Sequence, residues 1–289
     1  MKKCIIVINA YADKGGTRQT ARLVEEFSRL GISAEVRTND RFPLIISDSE
    51  IKLKDFECDF CVYLDKDKYV AAMLEKCGVK LFNSAAAIEV CDDKMLTHIA
   101  LAGSGIPMPE TIPGLLCYDR DAAIPPEVID AVESRLGYPV VIKQSYGSIG
   151  KGVFKADSRA ELIDICNKVK LDPHLFQQFV KSSSGQDMRV IVIGGKAIGA
   201  IKRISRTDFR SNIGLGAKAE KAELPDNVKY FAERAADVLG LDYCGIDFTV
   251  GEPLLLEVNS NAYFDAFEAV SGINVARLYA EYISKKIGA

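Results

Sequence analysis

Short unbroken apolar runs alternate along the chain with stretches in which apolar positions recur every three or four residues. The run Lys3–Asn9, KCIIVIN, is typical of a strand buried on both faces in a parallel sheet. Thr17 can cap the helical stretch that follows, which runs through Leu30 and stops at Gly31. A strand near Ile32–Arg37, the strand Cys58–Leu64, the helix Lys66–Cys77 and the strand Val79–Phe82 keep up this β-α-β rhythm. Residues 1–91 are therefore expected to form a small α/β domain around a mostly parallel sheet. Gly15-Gly16, before the first helix, could hold an anion on free backbone N–H groups, although a plain loop is the simpler reading.

The pattern then changes. Asp92 or Asp93 starts a helix with Lys94 in its first turn, where the helix dipole favours anions over a lysine, so Lys94 is a candidate for binding something negative. Gly103 and Gly105 close that helix, and Ile106–Pro109 forces extended chain. Tyr138–Ser145 reads as a buried strand that carries Lys143, and lysine is rarely buried without a partner. It leads into Tyr146-Gly147-Ser148-Ile149-Gly150-Lys151-Gly152-Val153, a glycine-rich turn that can bring backbone N–H groups close to a polyphosphate. The spacing is not that of a P-loop. A capped helix Asp157–Val169 and a strand Leu175–Val180 follow. Next comes a hairpin, Asp187–Ile193 and Lys196–Ile204 around Gly194-Gly195. It ends in a polar block, Lys202, Arg203, Arg206, Asp208, Arg210, Ser211 and Asn212, which is either a solvated face or a cradle for phosphate charge. Helices are expected over Asp226–Leu239 and from a cap at Asn274 to Ile287.

One late stretch carries the most chemistry. Tyr243–Val250 and Pro253–Val258 flank Gly251-Glu252 and predict a β-hairpin. Glu257 and Asn259 share a face; a three-residue loop would set Asp247 directly across from Glu257, and a two-residue loop would offset them by one position. Two carboxylates and an amide oxygen form a hard-oxygen site suited to Mg²⁺, with Mn²⁺ as the close substitute. The acid within LLLEVN argues for a metal over solvation, because an unpartnered carboxylate in a buried strand is costly.

Composition narrows the class. The chain has 289 residues, 48% hydrophobic and 27% charged, with a formal net charge of −3. Its sequence pI is near 5.6, with no basic footprint for nucleic acid. No run reaches membrane-spanning length, and the N-terminus turns polar too early for a signal peptide, which points to a cytoplasmic protein. Of eight cysteines only Cys58 and Cys61 form a C-x-x-C, and no second pair or histidine cluster completes a zinc site. They read as small core hydrophobes ahead of redox groups.

From Asp92 to Lys285 the motifs resemble, in order, those of the ATP-grasp superfamily and within it the RimK-like amino-acid ligases. They are DDK (92–94), YPVVIKQSYGSIGKGV (138–153), QQFVK (177–181), GQDMRVIVIGGK (185–196), DFRSN (208–212), GIDF (245–248) and EVNS (257–260). The resemblance implies an α/β (α+β) ATP-grasp fold. A pre-ATP-grasp domain (1–91) would precede a central subdomain with the lid (92–181) and a C-terminal subdomain with the Mg²⁺ site (182–289), the last two clamping ATP. It implies that Lys94 and Lys143 contact ATP phosphates and that Tyr146, Gly147, Ser148, Gly150 and Gly152 close over them. Gln178, Phe179 and Val180 would edge the adenine, and Asp187 would lie near the ribose. Arg203 and Arg210 would neutralise the transferring phosphate beside Asn212, and Asp247, Glu257 and Asn259 would hold Mg²⁺. Two segments depart from the family pattern: SNAYFDAFEAVSG after EVN, and IGLGAKAE after DFRSN. Both would lie near the acyl or amine substrate.

The resemblance thus implies an ATP-dependent carboxylate–amine ligase working through an acyl phosphate. It would join an amino acid such as glutamate to a small-molecule or peptide carboxylate, and the enzyme could be a homo-oligomer. A dipeptide ligase resembling D-alanine–D-alanine ligase and a non-catalytic, synapsin-like ATP-binding protein are the alternatives. Asp208 is a loose candidate for a general base.

Overall fold

Four consecutive residues, Cys4–Val7, are buried in strand β1 (Lys3–Ile8), because neighbouring strands cover its edges and other elements cover both faces. The computed structural model describes residues 1–11 and 18–288, so the cap expected at Thr17 and the Gly15-Gly16 loop lie outside the described residues. β1 pairs in parallel with β2 (Ser33–Thr38) and β5 (Phe60–Tyr63), and β6 (Leu81–Phe82) completes a parallel sheet of order β2-β1-β5-β6. Helices α1 (Arg18–Arg29) and α2 (Lys68–Lys76) belong to this region, and a hairpin, β3 (Leu44–Ser47) and β4 (Glu50–Leu53), projects from it. α2 starts later than the apolar pattern predicts, because Asp67 takes the cap and accepts from Tyr69 and Val70 N–H.

Two short helices, α3 (Ala85–Asp92) and α4 (Lys94–Leu101), meet at Asp93, whose carboxylate caps α4 by accepting from Met95 and Leu96 N–H. The middle of the chain then forms an antiparallel sheet of order β7-β10-β8-β9, with β7 Thr111–Pro113, β8 Val140–Gln144, β9 Val153–Ala156 and β10 His174–Gln178. Helices α5 (Pro126–Leu136) and α6 (Arg159–Val169) cover it, and their Ile129, Val132, Leu162 and Ile165 pack with Val140, Ile142 and Phe176 in a core of its own.

A larger antiparallel sheet, β13-β12-β11-β14-β15, ends the fold. Its strands are β11 (Gln186–Ile193), β12 (Lys196–Ile204), β13 (Lys218–Ala222), β14 (Tyr243–Phe248) and β15 (Leu255–Asn259). On one side α7 (Asp226–Val238) packs with residues of α3 and α4 in a shared core. On the other, α8 (Asp265–Ser271) and α9 (Val275–Ile287) join the first domain: Ile6, Phe27, Phe60 and Phe82 share one cluster with Ile191, Tyr243 and Tyr279. Burying each such side chain is worth about 1.5–3 kcal/mol. Asn274 caps α9 through Arg277 N–H, as the sequence predicts.

A single amide fixes the first domain to the late hairpin. Buried Asn83 donates to Tyr243 O (2.8 Å) and Ser260 O (2.9 Å) and accepts from Asp242 N (2.7 Å) and Tyr243 N (3.0 Å). No local sequence signal marks this residue. Among the described residues no helix is long and apolar enough to cross a membrane.

Candidate nucleotide and metal site

The hairpin register is the expected one, reached by a different route. Asp247 stands opposite Glu257, but Phe248 pairs with Leu255 and Thr249 N–H donates to Leu254 O, so the loop holds four residues. A β-bulge adds Leu256, which restores the Asp247–Glu257 pairing and lines the adjoining pocket.

That pocket lies between the middle and last sheets. Lys94, Lys143, Gly147, Ser148, Gly150, Gln178, Phe179, Val180, Asp187, Arg203, Arg210, Asn212, Asp247 and Glu257 all line it. Three expected site residues are not among its lining. Tyr146 is exposed, with the Lys68 ammonium 5.9 Å from its ring centroid. Gly152 has φ +74°, a left-handed backbone that favours glycine, and packs beside the Gln144 side chain. Asn259 is behind Glu257 on β15.

Cations gather on one side. The buried Lys94 ammonium donates to Gly147 O (3.1 Å), tying α4 to the glycine-rich turn. His98, one turn on, places Nδ1 2.8 Å from Lys94 O and Nε2 2.9 Å from the Gln177 amide. Burial, with Lys143 nearby, pushes its pKa down to about 4, so it stays neutral. Lys143 itself has neither a hydrogen bond nor an ion pair among the described residues. Burial pushes its pKa down to about 8, against the pull of Glu257. A buried ammonium lacking a protein partner and facing a pocket is a place for an anion.

Opposite stands a four-residue charge network. Arg189 grips Asp247 with two hydrogen bonds of 2.7 Å, and Arg203 reaches the same carboxylate at 2.8 Å. Arg203 also holds Asp187, whose other hydrogen bond comes from Ser211. Burial alone would raise the Asp247 carboxyl, but the two guanidinium groups outweigh it and hold the group below the usual carboxylate range. The network is internally neutral. Asp187 accepts from Arg203 on both oxygens and from Ser211 on Oδ2, which holds Arg203 in place and leaves a lone pair on Oδ1. Arg189 is absent from the residues singled out by motif; its signal is an arginine two positions after Asp187, on the same strand face.

Glu257 forms no ion pair among the described residues, and the side-chain carbonyl position of Asn259 lies 3.2 Å from Glu257 Oε1. Turned over, the amide would donate to Glu257 and accept from Arg189. That turned orientation satisfies both neighbours, so Asn259 is a hydrogen-bond partner of Glu257 and Arg189 here and would have to turn its oxygen toward Glu257 to share a cation. Asp247 Oδ1 accepts only from Arg189 and keeps a lone pair. These donors fit a hard divalent ion that keeps waters and phosphate oxygens in its shell. Among the described residues no group of three His, Cys, Asp or Glu side chains could hold a metal alone.

The lid is latched. Arg210 pairs with Asp208 (2.7 Å) and donates to Gly150 O (2.8 Å). Gly150 has φ +71° and lies so close to Asn212 that a Cβ would come within 2.8 Å of its Oδ1. Hydrogen bonding from Arg210 holds Asp208 below the usual carboxylate range.

A RimK-like ATP-grasp domain, as defined for its family, matches residues 91–283. The chain belongs to the RimK-like ATP-grasp family. Among its relatives, N-acetylaspartylglutamate synthase A of Homo sapiens is 40% identical over 227 residues, covering 76% of this chain and 56% of that protein. A probable alpha-L-glutamate ligase of Legionella pneumophila (strain Corby) is 36% identical over 219 residues, covering 74% and 70%. The chain spans little more than half the length of the mammalian synthases it matches. The RimK domain ATP-grasp protein of Sphaerobacter thermophilus DSM 20745 superposes with a TM-score of 0.73 over 97% of this chain and 99% of that one. At 20% identity this shows the ATP-grasp fold alone. The RimK-like match ends within α9 and leaves β1–β6 outside it.

Proposed function

We propose that this RimK-like protein is an ATP-dependent carboxylate–amine ligase that joins an amino acid, glutamate by the names of its relatives, to a carboxylate substrate. The observation that carries this reading is the partnerless Lys143 ammonium beside Lys94, facing the carboxylates of Asp247 and Glu257 across one pocket. Lys94 and Lys143 bind the ATP phosphates, Gly147–Gly150 lies over them, and Gln178–Val180 with Leu256 borders the base. Glu257, Asn259 and Oδ1 of Asp247 would hold Mg²⁺, which when bound neutralises phosphate charge. Arg203, oriented by Asp187, and Arg210 supply positive charge where the terminal phosphate passes to the substrate carboxylate. The amine then displaces phosphate from the acyl phosphate, leaving an amide, ADP and phosphate. The chain contributes position and charge more than proton transfer.

Eight unpaired thiols suit a reducing cytosol. Coupled ADP-release measurements with a panel of small acids and glutamate test the reading. Acid- and amine-dependent ADP formation with a new amide in the product supports it. ATP binding without stimulated ADP release would instead identify a nucleotide-binding module.

A further inference from the structure

A second open cleft, of about 680 Å³, lies on the first domain, with Lys3, Phe56, Cys58, Asp59 and Cys77 in its wall. At its edge the sulfur atoms of Cys58 and Cys61 stand 3.7 Å apart, in contact and unbonded. Backbone clamps produce this approach: Lys3 N–H donates to Asp59 Oδ2 (2.7 Å) and Asp59 N–H donates to Lys3 O (2.9 Å). The bend at Asp59 then turns Cys58 back over β5. The two thiols differ in access. Cys61 is wholly buried in the core, whereas Cys58 is half-buried and borders the cleft. Cys61 fills the core and Cys58 packs against its edge, but packing does not require a thiol there in contact with a second thiol at an open cleft.

We propose that Cys58 and Cys61 are a reversible redox pair that closes to a disulfide by exchange with a small-molecule disulfide of the glutathione type entering this cleft. The hydrogen bond from Cys61 holds the Cys58 thiol below its ordinary value, while Cys61 itself is pushed up, so Cys58 is the attacking sulfur. Its thiolate attacks one sulfur of the small disulfide. That S–S bond breaks, a mixed disulfide forms, and the departing thiolate takes up the proton that Cys58 had released. Cys61 then attacks Cys58 Sγ and expels the second small thiolate, which takes up the Cys61 proton as it leaves. Two protein thiols are oxidised, one small disulfide is reduced to two thiols, and no other oxidant is needed. Closure brings the sulfurs from contact to about 2.05 Å.

The full chain is incubated with oxidised glutathione, alkylated and digested with trypsin. Residues 55–66, between Lys54 and Lys66, hold both cysteines and no other. The expected result is a fall from eight alkylatable thiols to six. The 55–66 peptide should be lighter by two hydrogens and resist alkylation until reduced. In Cys61→Ser the adduct should stay on Cys58. The proposal is overturned if the wild-type peptide is alkylated at both cysteines. A lasting glutathione adduct on wild-type Cys58, or a bond from Cys58 to Cys77, would overturn it equally. The wild-type measurement stands even if the variant does not fold.

Discussion

Arg189 holds both oxygens of Asp247 at 2.7 Å while lying only partly exposed itself, so the acid of the late hairpin is positioned by a guanidinium from the neighbouring strand. Removing one member of such a buried pair leaves charge poorly compensated. Arg189→Ala should cost about 3 kcal/mol, the lower end of the range for breaking a buried ion pair, because Arg203 still reaches Asp247. Urea denaturation reads this out; a loss under about 0.5 kcal/mol, typical of a surface change, would contradict it.

Glu257 is the site's uncompensated anion. Glu257→Gln keeps the shape and removes the charge, so ADP release should fall about 100-fold or more, with a smaller loss of nucleotide affinity. Circular dichroism should be unchanged, because Glu257 is only half-buried. A variant turning over at the normal rate would mean the metal is held elsewhere.

Lys143 has a pKa lowered to about 8 from an ordinary 10.5. Phosphate restores its positive form, so ATP binding should take up a proton near and above pH 8, and affinity should fall by up to about tenfold per pH unit beyond it. Titration calorimetry in buffers of different ionisation enthalpy checks both. For the free protein the sign is opposite: the unfolded chain holds the extra proton between about 8 and 10.5, so this group's share of stability rises with pH across that window. An ATP affinity flat from pH 7 to 9 would exclude a phosphate role for Lys143.

Asn83 satisfies four backbone groups of the late hairpin from within the first domain. Asn83→Ala leaves them buried and unpaired, at a cost of about 3–5 kcal/mol. Thermal unfolding should show a shift of several degrees, and a shift within error would mean water replaces the amide completely.

Much of this was legible in the residues. Runs such as KCIIVIN and YPVVIKQS gave their strands because burial on both faces leaves no polar alternation to confuse the period. The Asp247–Glu257 pairing hung on a loop length that the residues left open between two and three; a four-residue loop with a bulge produces it. Harder to read were α3, the β3–β4 hairpin and Asn83. Ala85–Asp92 has a weak apolar stripe and owes its place to packing against the last sheet, and Asn83 acts only through partners some 160 and 177 positions away. The network of Arg189, Arg203, Asp187 and Asp247 was half visible: motif order picked out three members, but which acid each arginine serves depends on strand register.

The middle sheet has a core that contains no residue from either neighbour, while the first domain and last sheet are fused through theirs. Lys143 rides on the former and Glu257 on the latter, and the two attract across the gap. An arriving triphosphate finds that ammonium drawn toward a carboxylate but not paired with it. Salt that weakens the attraction should let the jaws part before any sheet begins to melt.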